Sequence, residues 1–119
     1  MRVAMIVAVG IVAAIYVAIC AALFFNQRSQ IYFPTAAVTR PDLGSMVVES
    51  GGEQLKLWRV GIWTGDPGAP ALMYFGGNAE SVDGNADDFA RAVPDHAVYL
   101  VNYRGYDGST GEPSEAALY

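Results

Sequence analysis

Residues 71–80 read ALMYFGGNAE. The apolar residues Ala71, Leu72, Met73, Tyr74 and Phe75 run unbroken and stop at Gly76-Gly77-Asn78. Such a run, closed by turn residues, suits a strand buried on both faces of a parallel sheet. The two glycines then let the backbone approach a neighbour closely or take positive φ. Residues 97–103, AVYLVNY, repeat the pattern and are closed by Arg104-Gly105-Tyr106-Asp107-Gly108. Between the two runs, Val82, Ala86, Phe89, Ala90 and Val93 fall at helical spacing. Asp83, Asp87, Asp88 and Arg91 occupy the opposite, solvated face. Asn85 is the expected helix cap and Pro94 the stop. Strand, helix and strand in this length make a βαβ unit of the α/β class, with a right-handed crossover. Its two glycine-rich loops then lie side by side at the carboxyl edge of the sheet, where open α/β proteins place their sites.

Upstream, residues 46–49 and 55–63 are β-prone runs flanking Gly51-Gly52, a hairpin signal, and the mixed pattern of the second run places the hairpin at the edge of the sheet. Residues 64–70, TGDPGAP, form a turn-dense linker into the first buried strand. Residues 3–25 carry no charge; at about 1.5 Å per residue they reach roughly 34 Å, enough for a hydrocarbon core of about 30 Å. A secretory signal is the rival reading, but the run exceeds an h-region of about 7–15 residues and no A-x-A site follows. Ile19 before Cys20 also argues against a lipoprotein signal. Residues 26–35, NQRSQIYFPT, then leave the bilayer, with Tyr32 and Phe33 at headgroup level and Pro34 barring further helix. Arg2 on one side nearly balances Arg28 and Arg40 on the other; the expected orientation is a single pass with the carboxyl-terminal part on the non-cytoplasmic side.

Twelve Asp+Glu against seven Lys+Arg give a net charge of −5, which excludes an electrostatic footprint for nucleic acid. The one Cys lies in the apolar segment, so no disulfide or Cys-based metal site is expected. Asp107, Glu112 and Glu115 do not follow calcium-loop spacing, and the glycines lack the Lys-Ser/Thr of a phosphate-binding loop. No cofactor and no metal is therefore expected. Gly105, Gly108 and Gly111 mark a long polar loop, and Pro113-Ser114-Glu115 opens a helix. A helix of about one turn buries no face, so the sequence is expected to break off inside a larger domain.

Gly76-Gly77-Asn78 after a buried strand suits the presentation of backbone N–H groups to a developing oxyanion, although glycine pairs there also serve as plain tight turns. The stretch LMYFGGNAE, a helix, and then VYLVNYRGYDGSTGEPSE resembles the α/β-hydrolase superfamily, in particular its membrane-anchored serine hydrolases. That resemblance covers residues 72–118, and IYFPT after the anchor also fits it. It implies residues 1–30 as transmembrane anchor and exit, and residues 31–119 as the N-terminal portion of a hydrolase domain. It further implies a small acyl-type substrate with an ester, thioester or amide bond, and a bilayer partner through residues 3–25. Gly77 and Asn78 would belong to the oxyanion loop, with the Asn78 N–H as donor.

Two residues depart from the family pattern: Gly76 stands where it has His, and Asp107 where it has Gly. Arg104 and Tyr106 match and read as scaffold. No G-x-S-x-G nucleophile turn occurs in the sequence. Ser109 lies in a loop that does not carry the nucleophile. His96, the one histidine, precedes a strand and would emerge at the opposite end of the sheet from Asn78, as a solvated turn residue. Catalysis by this chain alone is therefore not expected. The alternative is a non-catalytic, membrane-tethered interaction module.

Overall fold

The computed structural model describes residues 1–62, 66 and 68–117. It divides into two compact units, Met1–Ile31 and a second beginning at Tyr32. The first is one helix, α1 (Arg2–Ile31), none of whose residues is buried. It is long and apolar enough to cross a membrane, a test that a signal sequence also passes. Helical hydrogen bonding continues to Ile31, into the expected exit segment 26–35, and Pro34 follows within three residues.

The second unit is a mixed α/β structure. Strands β1 (Gly44–Ser50) and β2 (Glu53–Gly61) form an antiparallel hairpin, β3 (Ala71–Phe75) and β4 (Ala97–Val101) a parallel pair. The sheet order is β1-β2-β4-β3, with β2 antiparallel to β4. Gly51 and Gly52 both have positive φ (58° and 80°), as the tight type I′ hairpin turn requires. The hairpin does lie at the edge, but only through β1; β2 is interior. Residues 64, 65 and 67 of the 64–70 linker, and Trp63 before it, lie outside the described residues.

Register explains the core. Trp58 pairs with Leu100, which pairs with Tyr74; Val60 pairs with Val98, which pairs with Leu72. Two apolar rows thus cross three strands on one face. The crossover covers them: a 3₁₀ turn, Val82–Asn85, runs into helix α2 (Ala86–Ala92), and Val82 and Ala86 are buried against the rows, with Phe89 and Val93 partly so. Asn85 is the cap residue by position, without a side-chain cap hydrogen bond. Asp83 leaves the expected solvated face: it is buried and bound by Arg40, at 3.2 Å from Nη1 to Oδ2.

Strand β4 is buried on both faces as expected, but it ends at Val101, before Asn102 and Tyr103. Strand β3 is not. Its burial alternates, with Met73 58% and Phe75 52% exposed, because among the described residues β4 is its one strand partner and only the Leu72/Tyr74 face meets α2.

Candidate functional site

Parallel pairing puts the carboxyl ends of β3 and β4 at one edge, so residues 76–80 and 102–111 meet there. Residues 77–80 form a β-turn closed by Glu80 N–H donating to Gly77 O at 3.2 Å. Ala79, its third residue, has φ 63°, the left-handed value that a type II turn needs and that Gly or Asn usually supplies. Neither Gly76 nor Gly77 has positive φ. Gly76 is required instead by close approach, since a Cβ there would lie 2.5 Å from Val82 Cγ1. A His at position 76 would therefore displace Val82 from the core.

An L-residue in the left-handed region costs about 1–2 kcal/mol, while Gly costs about 0.5–1 kcal/mol in backbone entropy. Ala79→Gly is expected to stabilise the fold by about 0.5–1 kcal/mol, read as a higher urea midpoint at unchanged slope. An unchanged or lower midpoint would show that the turn carries no strain at Ala79.

The two expected site residues are in this turn, and both are engaged. Gly77 N–H donates to the Glu80 carboxylate. Asn78 Oδ1 accepts the Tyr106 hydroxyl at 2.9 Å and Phe33 N–H at 3.1 Å; the same Phe33 N–H also reaches Tyr106 Oη at 3.2 Å. Tyr106 is buried and so positions the Asn78 side chain, in keeping with its reading as scaffold. Gly77, Asn78 and Ala79 are themselves exposed.

The second loop is organised by Asp107, which is fully buried with φ 43°. Its Oδ1 accepts Val38 N–H at 2.7 Å and Lys56 Nζ at 3.1 Å; its Oδ2 accepts Trp58 Nε1 at 2.6 Å and Asn102 Nδ2 at 3.0 Å. Lys56 Nζ also lies 3.9 Å from the Trp58 ring centroid, a cation–π contact. Aspartate thus accepts a left-handed backbone in exchange for four donors. Ser109 is buried, with Oγ accepting Lys56 N–H at 2.9 Å and donating to Asn102 O at 3.2 Å, which ties the loop to β2. Arg104 reaches Ser50 O at the hairpin turn, at 3.2 Å.

His96 precedes β4 while Asn78 follows β3, so the parallel pair holds them at opposite ends. It is half-buried, not solvated, and its Nδ1 is buried without a hydrogen-bond partner. No group of His, Cys, Asp and Glu suited to a metal ion occurs among the described residues.

Sequence reasoning missed Glu80. Its Oε1 accepts the Tyr74 hydroxyl at 2.8 Å and the Asn85 amide, and its Oε2 accepts Gly77 N–H. These bonds, the Gly77 N–H foremost, hold the carboxyl below the usual Glu range against the opposing effect of burial. The same contact raises the Tyr74 hydroxyl above its ordinary value. Glu80 carries no periodic signal, and nothing in the sequence pattern marked it.

The molecule is thus an α/β protein with a mixed sheet and a loop-built polar cluster at the carboxyl edge of its parallel strands. No protein-family model matches the chain. Two Mycobacterium tuberculosis proteins, the uncharacterized proteins MT2364 (strain CDC 1551 / Oshkosh) and Rv2307c (strain ATCC 25618 / H37Rv), are each 34% identical over 121 aligned positions. The alignments include 92% of this chain, which spans 42% of the length of either curated relative. Among solved structures, a thioesterase domain from the curacin biosynthetic pathway is similar at TM-score 0.44 and 21% identity, over 57% of this chain and 24% of that one. A likeness that slight carries no argument about fold or activity.

Proposed function

We propose that residues 76–80 form the oxyanion side of an acyl-hydrolase site, within a membrane-anchored α/β-hydrolase acting on ester, thioester or amide bonds. The observation that carries this reading is the strained turn after β3, which holds the Asn78 backbone at the carboxyl edge of a parallel pair, its side chain fixed by Tyr106, while Gly77 N–H is taken by Glu80. Preorganised backbone donors of this kind stabilise a tetrahedral oxyanion without reorganising during the reaction. Attack on the carbonyl needs a nucleophile and a general base, and neither Ser109 nor His96 is placed for it: Ser109 is buried in loop bonding, and His96 is at the far end of the sheet. In this reading they come from sequence outside residues 1–119, and the chain alone does not turn over substrate. Helix α1 is the anchor, with the α/β unit on the non-cytoplasmic side.

Fluorophosphonate labelling tests the reading on the 119-residue chain and on full-length Rv2307c. The expected result is labelling of the longer protein and none of the chain. Labelling of the chain that disappears in Ser109→Ala would overturn the assignment of Ser109. Absence of labelling in the longer protein would overturn the hydrolase reading and favour a membrane-tethered interaction module.

A further inference from the structure

We propose that Glu80 is a positioning residue of the 76–80 turn, its carboxylate fastening strand β3, the turn and the head of α2 into one arrangement. This role rests on the oxyanion reading of that turn. Three donors from three places converge on one side chain: the Tyr74 hydroxyl from β3, Gly77 N–H from the turn, and the Asn85 amide from the start of α2. They use both oxygens, Oε1 for Tyr74 and Asn85 and Oε2 for Gly77. A left-handed Ala79 between Asn78 and Glu80 persists only if its surroundings over-determine it. The turn's own hydrogen bond, Glu80 N–H to Gly77 O, is a single tie, and the carboxylate adds a second between the same two residues.

Only an ionised carboxylate satisfies all three donors. Glutamine offers one oxygen and one NH₂ group, so placing the oxygen toward Tyr74 and Asn85 sets NH₂ against Gly77 N–H. The reverse orientation sets it against the Asn85 amide. Alanine leaves all three unpaired, and aspartate is one methylene too short to reach from the same backbone. Protonation acts like glutamine, because the added O–H removes acceptor capacity from one oxygen.

The groups around the carboxylate are few. Tyr74 meets it from β3 and Asn85 from α2; Tyr103, after β4, acts on the Tyr74 hydroxyl by charge. Asp88 on α2 borders the same open cleft as Tyr74 and Asn85 and is itself paired with Arg91. Glu80 is held below the ordinary carboxylate range, so its fastening is complete above that range and is lost as pH falls beneath it.

The test is ¹H–¹⁵N NMR of the whole chain in lipid nanodiscs, following the Gly77 amide. Its proton resonance is expected to titrate with a midpoint below the free Glu value of about 4.3. In Glu80→Gln that titration disappears and Gly77 exchange with solvent rises by about tenfold, the effect of one lost charge-assisted bond, while Val98 and Leu100 keep their protection. A Gly77 amide indifferent to acid and to Glu80→Gln would overturn the proposal. So would an equal loss of protection at Val98 and Leu100, which would make Glu80 a general stabiliser. If the variant does not fold, the Gly77 titration of the unaltered chain decides alone. Because this readout involves no turnover, its failure is distinct from a failure of fluorophosphonate labelling.

Discussion

Asp107→Ala is expected to cost about 3–5 kcal/mol, the range for removing one partner of a buried ion pair and leaving the other uncompensated. The Asp107 side chain is 1% exposed and that of Lys56 17%, so the stranded ammonium regains little water. Trp58 Nε1, Asn102 Nδ2 and Val38 N–H lose their acceptor in the same step. Urea unfolding of the chain in micelles, followed by tryptophan fluorescence, measures the loss. Asp107→Gly should be milder by about 1 kcal/mol, because glycine relieves the φ of 43° while stranding the same donors. A cost below about 1 kcal/mol for the alanine variant would mean that water replaces the carboxylate.

Leu100→Ala is expected to cost about 2–5 kcal/mol, the span observed for truncating buried leucines. Leu100 is fully buried in the interior strand β4 and is the middle member of the row from Trp58 to Tyr74, so a cavity there opens under α2. Met73→Ala, one strand over but 58% exposed, should change stability by no more than about 0.5 kcal/mol. The contrast between the two in one denaturation series checks the assignment of the buried face. Equal effects would show that the outer face of β3 is covered in solution.

The parallel pair, the crossover helix and the hairpin were legible because each rests on local pattern: apolar runs, helical spacing and a Gly-Gly turn. What escaped depends on partners distant in sequence. The exposure of Met73 and Phe75 follows from sheet order, which their own apolar run does not encode. Asp83 looked solvated by helical phase, yet Arg40, far upstream, draws it inward. Asp107 departs from the Gly of the resembling family, and three of its four donors, on Val38, Lys56 and Trp58, are distant in sequence. At the candidate site, the position of Gly77 and Asn78 at the carboxyl edge was readable from the strand-then-glycine pattern. The engagement of Gly77 by Glu80 and of Asn78 by Tyr106 was not, since carboxylates and tyrosines in loops have no periodicity to betray them.

The order β1-β2-β4-β3 also gathers four segments of chain at one sheet edge. Because β2 runs antiparallel to β4, the Gly51-Gly52 turn lies at the same sheet edge as the two loops, and Arg104 binds it through Ser50 O. Residues 33–38 cross that edge as well: Phe33 N–H is held at Asn78 and Tyr106, while Thr35 O accepts Asp107 N–H. One flank of the Asn78 turn is therefore fenced by chain, and the other is the side of β3, where Met73 and Phe75 face solvent.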